Sequence, residues 1–326
     1  MKNATNRWSS VGWQELDRSA DRSWVHGAVA PLRDGRLAVT DPGGRAVSLR
    51  HPDGRPAGLI PTGGTEVHGL TVVDHEGADA LWIADPGHKF VPRAGRYDDH
   101  LAPGRALLVD LNGNTLLTLS APARPEYATE PWRPCAVAVD ERRLGGSGAV
   151  WVADGYGGHL VHRYDADGTF RHTLDGTGSG RRFDTPHGIL VDRRGSEPVL
   201  LVADRGNRRL VTFDLAGAFL GERTVPGLAG PSGLAVRGDD LLVTDLYGAV
   251  WWLAADGSAV PLGTSEDPPR RPGWPNRLDD AGAPVAAAQH DLAFGAPHGI
   301  AVDGRGDVLV TEWGIGARLI RLTPHR

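Results

Sequence analysis

Residues 186–214 read PHGILVDRRGSEPVLLVADRGNRRLVTFD. The stretch contains three short apolar runs, ILV, VLLVA and LVTF, and glycine or charged residues separate them. Short apolar runs between turn residues are typical of antiparallel β-strands. We therefore expect a small β-meander whose first strand begins at His187-Gly188 and whose second strand ends at Ala203-Asp204.

Two features of this stretch recur along the chain, six times each and in the same order. An apolar strand ends in a small residue and an acid, and the acids are Asp41, Asp85, Asp154, Asp204, Asp245 and Glu312. Upstream of each acid, one residue precedes a small residue, at His26-Gly27, His68-Gly69, Cys135-Ala136, His187-Gly188, Ser232-Gly233 and His298-Gly299. Self-similarity in a fixed order indicates a repeat architecture.

A third strand follows each acid, and a fourth strand follows in repeats one to five, after an Asp-Gly, Asn-Gly or Ala-Gly turn that is typical of hairpins. The sixth repeat stops after its third strand, and we expect residues 8–16 to supply the missing outer strand. This pattern predicts an all-β fold, a six-bladed β-propeller closed by its N-terminal strand. The predicted domain spans residues 1–326, and its blades start near residues 26, 68, 135, 187, 232 and 298.

A pair of β-sandwiches is the alternative fold, and it explains neither the fixed order of the features nor the missing strand. Three stretches fall outside the repeats, at 89–105, 120–133 and 266–295. Loops of this length in a compact domain are usually functional. The sequence leaves open whether residues 266–295 close over the mouth of the propeller as a lid.

The charge balance excludes two classes of partner. The 326 residues include 40 acidic and 35 basic side chains, a formal net charge of −5, without a run of Lys and Arg. We therefore expect neither nucleic acid nor a membrane as a partner. The N-terminal sequence lacks the apolar core of a secretory signal, which predicts a cytoplasmic protein. The single cysteine, Cys135, excludes an intrachain disulfide.

The residues that open the repeats are candidates for chemistry. Propellers arrange their innermost strands around a central channel, so these six residues are expected to form a ring at one mouth. His68, His187 and His298 lie on alternate blades, where three imidazoles offer nitrogen ligands to a divalent metal and leave a position open. The alternative is that His before Gly simply suits the start of a strand in this type of repeat.

Four segments carry a resemblance to known proteins. PHGI at 186–189 and at 297–300 resembles NHL repeats, which occur in enzymes and in interaction modules. VADGY at 152–156 and VADRGNRR at 202–209 resemble segments of the peptidyl-α-hydroxyglycine α-amidating lyases, which are zinc enzymes with an NHL-like propeller. The resemblance covers nearly the whole chain as a fold.

This resemblance implies roles for five residues. His68, His187 and His298 would hold zinc, with iron or another divalent ion as the alternative. Tyr156 would act as the general base beside the metal, and Arg205 would bind a substrate carboxylate. The alternatives are a rim aromatic for Tyr156 and an ion pair for Arg205. In the lyases an Asp after the third metal-binding His helps to hold calcium, and here a glycine follows His298, so calcium is not expected.

The remaining mouth residues have weaker signals. His26 has no counterpart in the lyases and is a candidate acid or base, fourth ligand, substrate partner or packed side chain. Cys135 and Ser232 lack the sequence context of a nucleophile, and Cys135 is expected to be a small buried residue. The recurring acids are expected to bond backbone amides rather than to react. Four loop residues are expected to line the mouth, namely His88, His159, Tyr247 and Trp313.

Together these features predict a metal-dependent, lyase-like enzyme that cleaves a C–N or C–O bond of a small hydroxylated substrate carrying a carboxylate. Hydrolysis or hydration at the same three-His site is the nearest enzymatic alternative. The alternative from another class is an NHL-type propeller that binds a ligand or protein without catalysis. The sequence does not predict an oligomeric state.

Overall fold

A computed structural model describes residues 11–19, 23–264, 277–287, 289 and 291–324. The described residues form an all-β propeller with six blades. Two strands precede the first complete blade, β1 (Gly12–Arg18) and β2 (Val25–His26). Blade one consists of β3 (Val29–Pro31), β4 (Leu37–Thr40), β5 (Ala46–Arg50) and β6 (Pro56–Pro61).

Blade two contains an additional hairpin between its second and third strands. Its elements are β7 (Gly69–His75), β8 (Ala78–Asp85), the hairpin strands β9 (His88–Arg93) and β10 (Arg96–Leu101), then β11 (Arg105–Asp110) and β12 (Thr115–Leu119). Blade three consists of β13 (Ala136–Val139), β14 (Val150–Asp154), β15 (Leu160–Tyr164) and β16 (Phe170–Leu174). Blade four consists of β17 (Pro186–Asp192), β18 (Val199–Asp204), β19 (Arg209–Asp214) and β20 (Phe219–Arg223).

A second short hairpin stands between the last two blades. Blade five consists of β21 (Pro231–Arg237), β22 (Asp240–Asp245), β23 (Ala249–Leu253) and β24 (Ala259–Leu262). The hairpin strands are β25 (Arg277–Leu278) and β26 (Pro284–Val285). Blade six contains β27 (Pro297–Val302), β28 (Val308–Gly314) and β29 (Arg318–Thr323). The described residues also include three short 3-10 helices, Pro125–Ala128, Arg142–Leu144 and Thr177–Ser179.

The N-terminal strand closes the ring, as the sequence predicts. β1 pairs antiparallel with β29 as the outer strand of blade six, with Gly12 opposite Thr323 and Arg18 opposite Arg318. The paired strand runs from residue 12 to 18, whereas the prediction was 8–16, and residues 8–10 lie outside the described part of the chain. Closure gives the outer edge of β29 a partner strand, which an open sheet edge lacks.

The start of blade one differs from the prediction. β2, which carries His26, pairs with β28 of blade six, and the inner strand of blade one begins only at Val29. The reason is the length of β28: its pairing with β27 ends at Glu312, and the two residues beyond are available to β2. The start predicted near residue 26 is therefore three residues too early.

Two stretches expected as loops contain regular structure. Residues 89–105 form most of the β9–β10 hairpin, and residues 120–133 contain one of the 3-10 helices. In the stretch 266–295, residues 266–276, 288 and 290 lie outside the described residues, and the others include the β25–β26 hairpin. No helix in the described ranges is long and apolar enough to cross a membrane.

The hydrophobic core lies between the blades. Each of six buried clusters joins the side chains of two neighbouring blades, so the clusters follow one another around the ring. Trp82 packs in the cluster between blades two and three, Trp151 in that between blades three and four, and Trp252 in that between blades five and six. Large aromatic side chains contribute much of the buried area of such interfaces.

Five of the six recurring acids accept hydrogen bonds from backbone amides of the loops that lead into their blades, as expected. Asp85 accepts hydrogen bonds from the backbone N–H groups of Thr65 at 2.8 Å and Glu66 at 3.0 Å. Asp245 is buried and accepts from Ala229 and Gly230, both at 2.9 Å. Removal of such a buried carboxylate leaves its backbone N–H donors without an acceptor, which lowers the free energy of unfolding.

The first repeat offers a matched control for these contacts. Asp41 is partly exposed, and among the described residues its carboxylate accepts only from the N–H of Gly43 at 3.0 Å and from the hydroxyl of Ser48 on β5 at 3.2 Å. We expect Asp245→Ala to lower the free energy of unfolding by about 3 kcal/mol and Asp41→Ala by about 1 kcal/mol, because only the former leaves buried amides unpaired. Urea unfolding followed by circular dichroism measures both values, and equal losses would contradict this account of the acids.

Candidate metal centre

Three histidines meet at one end of the central channel. His68 directly precedes β7, His187 is the second residue of β17, and His298 is the second residue of β27. All three side chains are buried, and one ligand atom from each lies within 4.8 Å of the others. Their ring centroids are 4.7 to 5.1 Å apart. The structure thus brings together the three residues that the sequence predicts as ligands.

Backbone carbonyls fix the orientation of each ring. Nδ1 of His68 donates to the carbonyl of Cys135 at 2.8 Å, and Nδ1 of His187 donates to that of Ser232 at 3.3 Å. Nδ1 of His298 donates to the carbonyl of Gly27 at 2.9 Å. A carbonyl only accepts, so each Nδ1 carries the proton and each Nε2 presents a lone pair.

Glycine after each histidine permits this close approach. A Cβ on Gly69 would lie 2.6 Å from the carbonyl oxygen of Cys135, and a Cβ on Gly188 would overlap the carbonyl oxygen of Ser232. These are the same two carbonyls that accept from His68 and His187. The repeated His-Gly pair is therefore explained by contact with the next blade.

The three Nε2 lone pairs outnumber the hydrogen-bond donors beside them in the described part of the chain. The hydroxyl of Tyr156 lies 3.1 Å from Nε2 of His68 and 2.9 Å from Nε2 of His187, but its single proton can go to only one of them. Nε2 of His298 is buried and has no hydrogen-bond partner in the described part of the chain. Lone pairs that converge without donors form a site for a cation, so these residues fit a divalent metal.

The histidines remain neutral, as metal ligands must. Burial is the main cause that lowers the pKa of His298 to about 3, and the neighbouring His26 adds to it. Burial likewise places the pKa values of His68 and His187 well below the usual range, with smaller contributions from His298 and Arg205 respectively. Neutral imidazole with Nδ1 bonded to a carbonyl is the usual form of a metal-binding histidine.

Tyr156 and Arg205 stand together beside the histidines. Tyr156 follows β14 and Arg205 follows β18, as expected, and the guanidinium carbon of Arg205 lies 5.3 Å from the centre of the Tyr156 ring. Burial raises the pKa of Tyr156, and the cation of Arg205 partly opposes this effect. The phenol is therefore protonated in the protein alone, and the role of general base that the resemblance implies for Tyr156 stays a prediction. Within the described residues, Arg205 forms no ion pair with a carboxylate.

His26 is held by a buried acid rather than placed in the metal group. Its Nδ1 lies 2.9 Å from Oε1 of Glu66, and the same oxygen accepts from Nζ of Lys89 at 3.0 Å. Lys89 also donates to the carbonyl of Trp24. Burial would raise the pKa of Glu66, but His26 and Lys89 together outweigh burial and lower it. With Nδ1 engaged, His26 directs its other nitrogen away from Glu66.

A cavity of about 490 Å³ lies over these groups. Of the expected loop residues, His88 and Trp313 line it, whereas His159 and Tyr247 do not. His159 instead bonds the backbone N–H of Thr185 at 2.8 Å. Sequence reasoning missed several lining residues, namely Trp24, Glu66, Pro86, Phe90, Arg133 and Leu246. Phe90 and Arg133 lay in stretches that the sequence marked as functional, 89–105 and 120–133.

The two other mouth residues are structural. Cys135 is buried, and its sulfur lies 3.3 to 3.4 Å from the carbonyl oxygens of Ala153, Pro186 and His187. The hydroxyl of Ser232 is buried and donates to the carbonyl of Gly230 at 3.1 Å. Among the residues that the structure describes, neither side chain has a base positioned to activate it, in agreement with the sequence analysis.

The comparisons with known proteins support the fold. No family model and no curated protein matches the sequence, so the resemblance to NHL repeats and amidating lyases stays a prediction. Among solved structures, a streptogramin B lyase is 15% identical with a TM-score of 0.61 and covers 98% of this chain and 99% of its own. A gluconolactonase from Xanthomonas campestris is 18% identical with a TM-score of 0.61, covering 99% of this chain and 93% of its own.

Two further solved structures are similar to this chain. A catalytically inactive virginiamycin B lyase from Staphylococcus aureus with quinupristin is 15% identical, with a TM-score of 0.57, and the match covers 96% of this chain and 99% of that one. A WD40 β-propeller domain is 12% identical with a TM-score of 0.56 and covers 97% of this chain and 98% of its own. At these identities the similarity shows the propeller fold alone, a fold that serves a lyase and a lactonase among others.

The buried cysteine gives a direct test of the packing around the histidines. Burial raises the pKa of the Cys135 thiol to about 12, so the native protein contains almost no thiolate. We expect no measurable reaction with Ellman's reagent over about an hour in the native protein, since the thiolate is the reactive form. In concentrated guanidinium chloride, one thiol per chain should react at once. A native thiol that reacts at the rate of the unfolded one would show that this mouth is open.

Proposed function

We propose that this protein is a metal-dependent enzyme with lyase-like chemistry, acting on a small hydroxylated substrate that carries a carboxylate. One observation carries the proposal: three buried Nε2 lone pairs and a phenol with one proton converge beside a cavity whose lining includes His298 and Tyr156. Such a group is unfavourable unless a cation binds it. The propeller fold shared with a lyase and a lactonase is compatible with catalysis at this position.

Zinc is the metal that we propose for His68, His187 and His298, with iron or another divalent transition metal as the alternative. Neutral imidazoles suit these metals, whereas calcium prefers oxygen ligands, so the donor set does not fit calcium. When bound by three protein ligands, zinc keeps an open position and acts as a Lewis acid that polarises a substrate oxygen.

Arg205 supplies the contact to a carboxylate. Its guanidinium lines the cavity and has no carboxylate partner within the described residues, so its charge is available to a ligand. A guanidinium and a carboxylate match in a planar, two-pronged hydrogen bond. The stacking of Arg205 on Tyr156 restricts the orientation of both groups. A substrate held here would present the carbon next to its carboxylate to the histidines.

Tyr156 and His26 are the groups that can move protons. In a lyase reaction the substrate hydroxyl loses its proton, a carbonyl forms, and the electron pair of the breaking C–N or C–O bond leaves with the departing group, which takes up a proton. Tyr156 Oη lies among the metal-ligand nitrogens, where a bound cation would favour its phenolate, and this phenolate is the proposed acceptor of the hydroxyl proton. His26 with protons on both ring nitrogens, of which Nδ1 faces Glu66, is the proposed donor to the departing group through Nε2.

The pair of His26 and Glu66 also favours a second candidate function. Hydrolysis or hydration at the same metal needs a base that activates water, and a histidine oriented by a carboxylate is such a base. This reaction does not need Tyr156 as a proton acceptor. A binding propeller without catalysis is the candidate from another class, and it predicts no stoichiometric metal.

Metal content tests the proposal directly. We expect the purified, untagged protein to contain about one divalent ion per chain by elemental analysis, because three neutral imidazoles form a complete ligand set. The His68→Ala/His187→Ala double variant should retain less than about a tenth of this metal, since one histidine remains. His51→Ala is the matched control because His51 is exposed and distant in sequence from the three ligands. A wild-type protein that contains no metal and takes up none would favour the binding propeller.

Tyr156→Phe separates the two reactions. If Tyr156 accepts the proton, the variant should bind metal normally but turn over hydroxy acids or carbinolamides about a hundredfold or more slowly than the wild type, as is usual for loss of a general base. Initial rates and metal content are measured on the same samples. Retained turnover with metal bound would count against the lyase mechanism and favour hydrolysis or hydration.

A further inference from the structure

We infer that the cavity over the histidines recognises an aromatic carboxylate, with the ring and the carboxylate at opposite sides of the cavity. The inference names a substrate class for the proposed function and rests on that function for the reaction. Recognition itself depends on residues outside the metal centre. These residues form an aromatic half and a cationic half of the cavity lining.

The aromatic half consists of Trp24, Phe90 and Trp313. Trp24 and Phe90 are stacked, with centroids 4.6 Å apart and an angle of 19° between the ring planes. Trp24 and Trp313 are 5.4 Å apart, and the ring of His88 lies 4.2 Å from that of Phe90. Aromatic rings at such distances form a wall on which a further flat ring can stack or pack edge to face.

This wall depends on the hairpin that interrupts blade two. Phe90 lies on β9, and Trp24, on which Phe90 stacks, belongs to the segment before β2. Lys89 joins these two segments, because its ammonium group donates both to the carbonyl of Trp24 and to Glu66. The basic pattern of four strands per blade contains no such hairpin, which indicates that the wall is an addition to the fold rather than part of its framework.

The cationic half consists of Arg133 and Arg205. Arg133 lies just before blade three and Arg205 follows the second strand of blade four, whereas the wall comes from the segment before β2, the blade-two hairpin and blade six. Arg133 donates from Nη1 to the carbonyl of Pro86 at 2.9 Å. In the described parts of the chain, neither guanidinium forms an ion pair, although the whole protein carries a net charge of −5.

The two halves together define the ligand. A cavity of about 490 Å³ is large enough for a ring, a short linker and a carboxylate. A ligand that spans it places its ring on Trp24 and Phe90 and its carboxylate on the arginines. Its linker then passes over the histidines, where a hydroxyl group would lie. We choose a carboxylate because it matches the planar guanidinium of each arginine.

Isothermal titration calorimetry on the protein as purified tests this assignment with 3-phenyllactate as the probe. We expect 3-phenyllactate to bind at least about tenfold more tightly than lactate, which lacks the ring, and than methyl 3-phenyllactate, which lacks the charge. Equal affinity for 3-phenyllactate and lactate would overturn the aromatic half. Tighter binding of phenyl phosphate than of 3-phenyllactate would overturn the choice of a carboxylate.

Single variants locate each preference. Phe90→Ala should weaken 3-phenyllactate binding about tenfold, whereas Val91→Ala, at the neighbouring exposed position of β9, should not change it. Arg133→Gln should reduce the preference for the acid over its methyl ester about tenfold, and the exposed Arg55→Gln is its control. If Phe90→Ala does not fold, Phe90→Leu tests the same ring. Unchanged binding in folded Phe90 and Arg133 variants would overturn the inference.

The same titrations separate this inference from the proposed function. They are repeated on the His68→Ala/His187→Ala variant, which keeps both halves of the cavity. A wild-type protein that contains no metal but retains both ligand preferences would contradict the proposed reaction and support the aromatic carboxylate. A wild-type protein that contains metal but lacks the preferences for the ring and for the charge would contradict only the substrate class.

Discussion

The hydrogen bond from a histidine Nδ1 to a carbonyl of the next blade links the fold to the site. It occurs at His68, His187 and His298, and it crosses a blade interface each time. The glycine that follows each histidine allows the backbones of the two blades to approach closely. The hydrogen bond fixes the tautomer whose Nε2 lone pair faces the channel. The interaction that packs the blades thus also prepares the three nitrogens for a metal.

The residues of the candidate site come partly from the six repeats and partly from segments added to them. The repeats supply the three histidines that we propose as metal ligands, and Tyr156 and Arg205 follow the second strands of their blades. The β9–β10 hairpin, the segment before β2 and the end of β28 supply the aromatic wall, and Glu66, in the loop before β7, orients His26 and also pairs with Lys89. A rigid ring of six blades is suited to hold ligands in place, while insertions at its mouth adjust which substrate fits.

Repetition explains what the sequence predicts well. Six acids, six strand openings and one missing strand define the blades and their closure, and the alternation of histidines predicts which three side chains meet. Glu66, Lys89 and Arg133 were missed because they occur once each, in loops or an insertion, where no repeat indicates their position. The pairing of β2 with blade six was missed for a similar reason, since it depends on the extra length of β28.

The central claim is that three imidazoles bind one metal ion, and X-ray absorption spectroscopy at the zinc edge of the zinc-loaded protein tests it most directly. The account predicts three imidazole ligands with zinc–nitrogen distances of about 2.0 to 2.1 Å. It also predicts the loss of one imidazole in His298→Ala, because this ring has no partner for its Nε2 among the described residues. A zinc ion surrounded chiefly by oxygen, or an unchanged number of imidazoles in the variant, would contradict it.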